Sequence, residues 1–179
     1  MGKENINMKI LNEILESRED RAQKQVEILE EYPYSLISFT LNTPGIEKDN
    51  ELYRKIHNEG FEQIERLIAI SKLEIKYKEY INKATGAEGY VSVDAEAELV
   101  KSIMITLEKE HPLGRIFDID VFDKNHKQMS RTDLGLETRT CLLCNKDARI
   151  CMREKNHSYE ELIAIIEEVS RNYFSNKVD

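Results

Sequence analysis

Hydrophobic residues recur at helical or strand spacing along most of this chain. From Lys9 to Glu31 they return every three or four positions, which predicts an amphipathic helix that Pro33 ends. The residues of this stripe are Leu11, Leu15, Ala22, Val26 and Leu29. Arg18 falls within the stripe, where an arginine either extends to solvent or points into an anion pocket. From Ser35 to Asn42 apolar and polar residues alternate, as they do in a strand with one buried face.

A second helix and a β-hairpin are predicted next. Asp49 or Asn50 can cap the helix. Its apolar stripe consists of Tyr53, Ile56, Gly60, Ile64 and Leu67, and the glycine in it permits close packing. Leu73 to Tyr80 and Gly89 to Val93 have strand character, and Ala84-Thr85-Gly86 is the turn between them.

A third helix and a fourth strand complete a repeating order of elements. Asp94 is expected to cap the helix, which stops before Pro112 because a proline ring cannot continue it. Its apolar residues are Leu99, Val100, Ile103, Met104 and Leu107. Arg115 to Phe122 is the fourth strand. The order strand, helix, strand, strand, helix, strand indicates an α+β fold, a ferredoxin-like antiparallel sheet with packed helices, over about residues 35–123.

The composition changes after residue 130 to a segment rich in cysteine and arginine. A last helix is predicted from Tyr159 to about Tyr173, with Ser158 and Glu161 as a capping box and Leu162, Ile165, Ile166 and Val169 as its apolar stripe. We therefore expect an N-terminal helix, a sandwich core and a C-terminal Cys/His-containing helical segment over about residues 130–174. A chain of 179 residues favours one domain, 1–179.

Composition narrows the class of protein. There is no apolar run long enough to span a membrane and no signal-peptide pattern at the N-terminus, so we expect a cytoplasmic protein with no membrane role. A net charge of −8 repels nucleic-acid backbones, and we expect no nucleic-acid partner. Any anionic substrate must be met by a local cluster of cations. Three cysteines within one short segment do not make a disulfide framework.

Two carboxylates are predicted to lie on one face of the fourth strand. The strand period of two puts Asp118 and Asp120 on one side and the apolar residues between them on the other. Paired carboxylates suit Mg²⁺, which neutralises phosphate charge in nucleotidyl transfer, although a solvated strand face gives the same pattern. Antiparallel pairing with the first strand places Asp118 beside the turn that contains Thr43. Arg115 offers a bidentate phosphate donor or an ion pair.

A second constellation combines three cysteines with one histidine. Cys141, Cys144, Cys151 and His157 are four ligands of the kind that tetrahedral zinc takes in structural sites. Three buried thiols and a histidine before a helix are the alternative interpretation. Arginines are also concentrated in this part of the chain, where they are either solvated or collect a substrate with several phosphates. They are Arg131, Arg139, Arg149 and Arg153.

Several motifs together resemble one enzyme family, the citrate lyase holo-acyl-carrier-protein synthases, also called apo-citrate lyase phosphoribosyl-dephospho-coenzyme A transferases. The most specific is the run from His111 to Val121, His-Pro-Leu-Gly-Arg-Ile-Phe-Asp-Ile-Asp-Val. The other matching residues are Arg18-Glu19-Asp20-Arg21, Gln25, Ser38 to Gly45, Lys48, Ser130-Arg131, Cys141 to Cys144, Ala148, Cys151, Arg153 and His157. The resemblance covers nearly the whole chain.

The resemblance implies a transferase that moves a prosthetic group onto a carrier protein. The donor is 2′-(5″-triphosphoribosyl)-3′-dephospho-coenzyme A, the acceptor is a serine of the citrate lyase acyl carrier protein (gamma chain), and diphosphate is released. It implies Asp118 and Asp120 as Mg²⁺ ligands and, with Arg115, as catalytic residues. It further implies that substrate is bound by Arg18, Arg21, Thr43, Gly45, Lys48, Gly114 and Arg131.

Two other functions remain open from the sequence. One is the same chemistry on another carrier protein, such as that of malonate decarboxylase. The other is a zinc-stabilised binding module that docks a partner through its cysteine segment without catalysis. The long motif at His111 to Val121 favours the citrate lyase enzyme over the first alternative, and the effect of replacing Asp118 distinguishes the enzyme from the second.

Overall fold

The fold is an α+β sandwich, seen in a computed structural model that describes residues 3–144 and 146–177. A four-stranded sheet is combined with five α-helices and a short 3₁₀ turn in this part of the chain. In chain order the elements are α1 (Lys3–Glu31), β1 (Ser35–Leu41), α2 (Glu51–Ile70), β2 (Glu74–Ile81), β3 (Glu88–Asp94), α3 (Ala97–Glu110), β4 (Phe117–Phe122), the 3₁₀ turn (Thr132–Leu134), α4 (Ala148–Arg153) and α5 (Tyr159–Asn176).

The sheet is antiparallel throughout, in the order β2-β3-β1-β4. This order confirms the predicted ferredoxin-like arrangement, in which the last strand pairs with the first. Its main core lies on the face covered by α2 and α3 and includes Ile37 and Phe39 of β1 and Ile119 of β4. Gly60 lets α2 approach the sheet closely, since a Cβ there would lie 2.4 Å from Phe39 Cζ. The close packing expected at Gly60 is confirmed.

The opposite face of the sheet is only partly apolar. At one end Leu36 and Tyr90 are fully buried against Ile28 and Leu29 of α1, which forms a second, smaller core. Towards the other end of β1 the same face becomes polar, because Ser38 and Thr40 replace the aliphatic side chains. The C-terminal half of α1 therefore anchors this helix on the sheet and leaves a polar floor beyond it.

The N-terminal half of α1 is less buried than its apolar stripe predicts. Leu11 and Leu15 are each 47% exposed, whereas Leu29 is 2% exposed. A helix of 29 residues extends well past a sheet whose strands have six to eight residues, so its first turns have no strand to pack on. Despite its length α1 is polar, and none of the described helices is long and apolar enough to cross a membrane.

The predicted helix ends are right at two positions and wrong at one. Asn50 accepts a hydrogen bond from the Tyr53 amide and caps α2, and Ser158 and Glu161 form the predicted capping box of α5. The expectation that Asp94 caps α3 is wrong. Asp94 ends β3 and lies 3.4 Å from Lys76 Nζ, and the helix begins after Glu96 without a side-chain cap.

The apolar stripe predicted for α3 also includes one residue that is not buried. Leu99 is 50% exposed, while Val100 and Met104 are fully buried. The buried residues of α3 also include a charged one, Lys101. Its ammonium donates to the Ile119 carbonyl at 2.9 Å, so α3 uses a charge to contact the backbone of β4.

Helix α5 is joined to the sandwich through one buried carboxylate. Glu59 of α2 is only 4% exposed and accepts hydrogen bonds from the Tyr173 hydroxyl, at 2.7 Å, and from Lys177. His111, at the C-terminal end of α3, lies 3.2 Å from the same hydroxyl through Nε2. Burial alone would raise the pKa of Glu59, but hydrogen bonds from Lys177, Tyr173 and Gln63 lower it to about 2. The carboxylate is therefore charged at neutral pH.

We predict that Glu59→Gln lowers the free energy of unfolding at pH 7 by about 1–3 kcal/mol, because Tyr173 and Lys177 lose a buried, charged acceptor. The pKa of Glu59 is lower in the folded state than its ordinary value of 4.5. Its contribution is therefore fully present above pH 4.5 and is lost as the pH falls towards 2. Urea unfolding of both proteins between pH 3 and pH 7 measures this difference.

Glu62→Gln on the same helix is the control, because Glu62 is exposed. The curve of unfolding free energy against pH for Glu59→Gln should converge with that of the wild type at low pH. The curve for Glu62→Gln should stay parallel to that of the wild type. An unchanged stability of Glu59→Gln at pH 7 contradicts the role of the carboxylate.

Candidate functional site

A large cavity of about 1070 Å³ opens beyond the anchored part of α1. Six parts of the chain enclose it: the N-terminal half of α1, the end of β1 with the loop that follows, the start of α2, the β2–β3 turn, β4, and the C-terminal segment with α4 and α5. Its volume lies at the upper end of the range for small-molecule sites. The lining side chains that bear on its chemistry are Arg18, Arg21, Thr40, Thr43, Lys48, Arg54, Asp118, Arg149, Lys155 and His157.

Thr40 and Asp118, on the polar part of the sheet, form the floor of the cavity. Thr40 and Asp118 are directly opposite each other in the β1–β4 pair, and Ser38 is opposite Asp120 in the next position that shares their face. Because side chains alternate along β4, Phe117, Ile119 and Val121 are buried on the opposite face of the sheet. The prediction that both aspartates share one face and that Asp118 lies beside the end of β1 is confirmed.

The two aspartates differ in their surroundings. Asp118 lines the large cavity and receives Arg139 Nη1 at 3.4 Å. Asp120 lies one step deeper along the strand and accepts from Gln128 Nε2 at 2.7 Å. Burial raises the pKa of Asp120, and the neighbouring negative charge of Asp118 raises it further. Two carboxylates held side by side in this way are a site whose repulsion a divalent cation relieves.

Cations face this floor from α1 and from the loop after β1. Arg18 and Arg21 both reach the cavity from α1, and Lys48 reaches it from the loop. Burial lowers the pKa of Lys48, and the nearby charge of Arg18 lowers it further. Lys48 donates to the Thr43 carbonyl, which fixes the loop that also contains Gly45. Cations that repel one another around a cavity are compensated when an anion enters it.

Arg21 is held in place by a carboxylate that the sequence does not single out. Glu88 of β3 is 1% exposed and accepts from Arg21 Nε at 3.2 Å, from Lys83 at 2.9 Å and from the Tyr90 hydroxyl at 2.8 Å. Burial raises the pKa of Glu88, but the hydrogen bonds from Lys83 and Tyr90 and the charge of Arg21 outweigh that effect and lower it. Glu88 thus orients one cation of the cavity wall.

Three residues that were predicted with this site lie elsewhere. Arg115 and Arg131 line a second, smaller cavity of about 430 Å³ together with Arg139. Arg131 is paired with the buried Glu108. Gly114 is fully packed, since a Cβ there would lie 2.5 Å from the Glu108 carbonyl oxygen. Its lack of a side chain serves the contact with the end of α3.

The four predicted zinc ligands converge. One donor atom from each of Cys141, Cys144, Cys151 and His157 lies within 4.8 Å of the other three. Cys144 Sγ is 3.9 Å from Cys151 Sγ and 3.4 Å from His157 Nε2. Metal–ligand distances of about 2.3 Å to sulfur and about 2.0 Å to nitrogen give tetrahedron edges of roughly 3.8 and 3.5 Å. The two distances from Cys144 therefore match the edges of a tetrahedral metal site.

Backbone contacts favour the thiolate form of Cys141. Burial would raise the pKa of Cys141, but the amides of Leu143 and Cys144 donate to its sulfur and the pKa falls below its ordinary value. A short hairpin contains Cys141 and Cys144, and in it the Cys141 amide donates to the Lys146 carbonyl at 2.7 Å. Cys141, Cys151 and His157 also line the large cavity, so the cluster forms part of its wall.

Two arginines attach this hairpin to β4. Arg115 donates to the Thr140 hydroxyl at 2.9 Å, to the Thr140 carbonyl, and to the Cys141 carbonyl at 2.7 Å. Arg139 donates in the opposite direction, to the Phe117 carbonyl at 2.6 Å. Sequence reasoning noted Arg139 only as one of several arginines, because its place beside Asp118 depends on contacts across 21 residues.

Comparison with known proteins identifies relatives over most of the chain. A family model described as apo-citrate lyase phosphoribosyl-dephospho-CoA transferase matches residues 9–173. Proteins of that name from Escherichia coli O139:H28 (strain E24377A / ETEC) and Escherichia coli O8 (strain IAI1) are each 39% identical over 151 residues, which cover 84% of this chain and 82% of theirs. A protein of the same name from Shigella boydii serotype 18 (strain CDC 3083-94 / BS512) has the same identity and coverage.

We predict that Arg115→Lys lowers the free energy of unfolding by about 1–2 kcal/mol, because an ammonium cannot reproduce the fork that binds three acceptors of the hairpin. Hydrogen exchange should also quicken at the hairpin amides of Cys141 and Ala148, both of which are hydrogen-bonded. Arg66→Lys, at an exposed position of α2, is the control and should change neither quantity. Unaltered exchange in Arg115→Lys would show that the hairpin does not depend on the guanidinium.

Proposed function

Because the chain belongs to the apo-citrate lyase phosphoribosyl-dephospho-CoA transferase family, we propose that it attaches the phosphoribosyl-dephospho-coenzyme A group to the acyl carrier protein of citrate lyase. The donor in this proposal is 2′-(5″-triphosphoribosyl)-3′-dephospho-coenzyme A and the acceptor is a serine hydroxyl of the carrier. The products are a phosphodiester and diphosphate.

The observation that carries the proposal is the large cavity with an acidic floor and a cationic wall. Asp118 faces the cavity on one side, and Arg18, Arg21 and Lys48 face it on the other. A nucleotide with a triphosphate needs both a volume of this order and several cations close together. The cavity also has apolar walls, from Leu162 and Ile166 among others, which suit the less polar parts of the donor.

The proposed chemistry is in-line attack of the serine oxygen on the α-phosphorus of the donor. The bond from that phosphorus to the diphosphate breaks as the new ester bond forms, and the serine proton leaves to solvent or a base. In such transfers most of the catalysis is positioning and charge stabilisation. Arg18, Arg21 and Lys48 neutralise phosphate oxygens, and Thr43 and Gly45 shape the loop that holds Lys48 in place.

We propose Asp118 and Asp120 as the ligands of Mg²⁺. They share one strand face, and burial and mutual repulsion raise the pKa of Asp120, as fits a pair completed by a divalent cation. When bound, the ion supplies positive charge for the transferred phosphoryl group. Asp118 is also within reach of Arg139, so the pair keeps some compensation without a metal.

For the cysteine cluster we propose structural zinc. Three cysteines and one histidine, with donor atoms within 4.8 Å of one another, are a set that zinc takes in closed sites. A reducing compartment keeps the thiols available, which favours a cytoplasmic location. The whole chain then acts as one domain, in which the metal stabilises the C-terminal wall of the cavity.

The decisive experiment is mass spectrometry of apo-carrier protein after incubation with this protein, Mg²⁺ and the triphosphoribosyl donor. A mass increase equal to the phosphoribosyl-dephospho-coenzyme A group is expected on the citrate lyase carrier. It should be absent from a carrier whose acceptor serine is replaced by alanine. The carrier protein of malonate decarboxylase is tested in parallel, to compare how readily the two carrier proteins are modified. Modification of the malonate decarboxylase carrier alone would reject the citrate lyase assignment.

We predict that Asp118→Asn and Asp120→Asn each slow transfer at least about a hundredfold, because loss of a metal ligand should cost a few kcal/mol of transition-state stabilisation. The initial rate of carrier modification at fixed Mg²⁺ is the measurement. Glu98→Gln, an exposed acid on α3, is the control. More than about a tenth of the wild-type rate in both aspartate variants contradicts the metal assignment.

We predict that Cys144→Ser releases the bound metal and lowers the melting temperature, because one of four tetrahedral ligands is lost. Elemental analysis of protein purified without chelator should give about one zinc per wild-type chain. Met152→Ala is the control, as this side chain is 76% exposed beside the cluster and is not a ligand. Zinc far below one per wild-type chain, with all three thiols titratable in the native state, would leave the cysteines as ordinary partly buried residues.

A further inference from the structure

The small cavity has a charge opposite to that of the protein. It lies at the end of α3 and is enclosed by the segment from Gly135 to Thr140. Four cationic and two acidic side chains line it, an excess of two positive charges in a chain of net charge −8. They are Lys109, Arg115, Arg131, Arg139, Glu108 and Glu137.

Three of the cations are guanidinium groups that the fold holds close together. Arg131 is fixed by the buried Glu108, Arg115 by the carbonyls of Thr140 and Cys141, and Arg139 by the Phe117 carbonyl. Burial lowers the pKa of Arg115, and the charge of Arg139 lowers it further, as does that of Arg131. Held by these anchors, the three groups repel one another, and an anion placed among them removes that repulsion.

We propose that this small cavity is a second anion site, separate from the large cavity, and that it takes inorganic diphosphate. Planar guanidinium groups match phosphate oxygens in pairs, which makes three arginines a suitable set for an anion with two phosphates. The choice of diphosphate rests on the proposed function, in which that anion is the leaving group. The cavity of about 430 Å³ has room for it.

The two cavities meet at one ion pair. Asp118 lines the large cavity, Arg139 lines the small one, and Arg139 Nη1 lies 3.4 Å from Asp118 Oδ1. An anion in the small cavity competes with Asp118 for the same guanidinium. Arg139 is therefore shared between the carboxylate of the reaction site and the site for the released anion, and binding at one alters the charge at the other.

Isothermal titration of the full-length protein with inorganic diphosphate, without donor or carrier, tests the site. One tight site per chain is expected, in addition to any weaker binding by the cations of the large cavity. Arg139→Gln and Arg131→Lys should each weaken binding at least about tenfold, since each removes charge-assisted hydrogen bonds. The lysine variant keeps a charge beside the buried Glu108, so it should stay folded, and melting curves check this. Arg66→Gln removes an exposed cation from α2. It is the control and should bind diphosphate as the wild type does.

A large-cavity variant locates the anion. Lys48→Gln should leave diphosphate affinity within about twofold of wild type if the small cavity is the site. No measurable binding to the wild type, or affinity that falls with Lys48→Gln and not with Arg131→Lys and Arg139→Gln, overturns the proposal. The carrier assay separates this result from the proposed function. If the carrier is not modified but the titrations are as expected, the anion site stands and the proposed function fails. If the carrier is modified but diphosphate does not bind, only the anion site fails.

Discussion

The arrangement of the molecule depends on how the open edge of β4 is satisfied. An edge strand carries backbone carbonyls without strand partners. In this protein Arg139 donates to the Phe117 carbonyl, Lys101 to the Ile119 carbonyl and the Met129 amide to the Val121 carbonyl. Each donor comes from a different part of the chain. The strand that holds Asp118 and Asp120 is thereby fixed from both sides, by β1 along one edge and by these three donors along the other.

The same edge contacts join the cysteine cluster to the sheet. Arg115, just before β4, donates to the Cys141 carbonyl in the hairpin. Arg139, in the hairpin, donates to the Phe117 carbonyl of β4. Neither arginine is exposed in the way that a simple phosphate-binding residue on a surface would be. The cysteine segment, the wall of the large cavity and the acidic strand are therefore connected by hydrogen bonds.

Periodicity was sufficient to predict the sheet and the faces of its strands. The order of elements, the shared face of Asp118 and Asp120, the cap at Asn50 and the close contact at Gly60 all follow from local patterns, because strand and helix periods and turn chemistry are local properties. The four ligands of the cysteine cluster could also be listed, since they lie within seventeen residues of one another and their chemistry is distinctive.

Other features depend on contacts that no local pattern encodes. Glu88 and Glu59 read as ordinary surface acids, yet each is buried with several cationic or hydroxyl partners from distant elements. The exposure of Leu11 and Leu15 follows from where the sheet ends, which the stripe on α1 does not indicate. The separation of Arg115 and Arg131 from the large cavity depends on the path of the chain after β4.

The tight turn at Gly114 sets the distance along the chain at which the aspartates must occur. Its Cα is pressed against the last carbonyls of α3, so the turn cannot slide, and the strand begins at a fixed point after it. Strand side chains alternate faces, so inserting or deleting one residue between Gly114 and Asp118 would turn both carboxylates into the apolar core and bring Phe117 and Ile119 to the cavity floor. This part of the chain can therefore accept changes of side chain far more readily than any change of length.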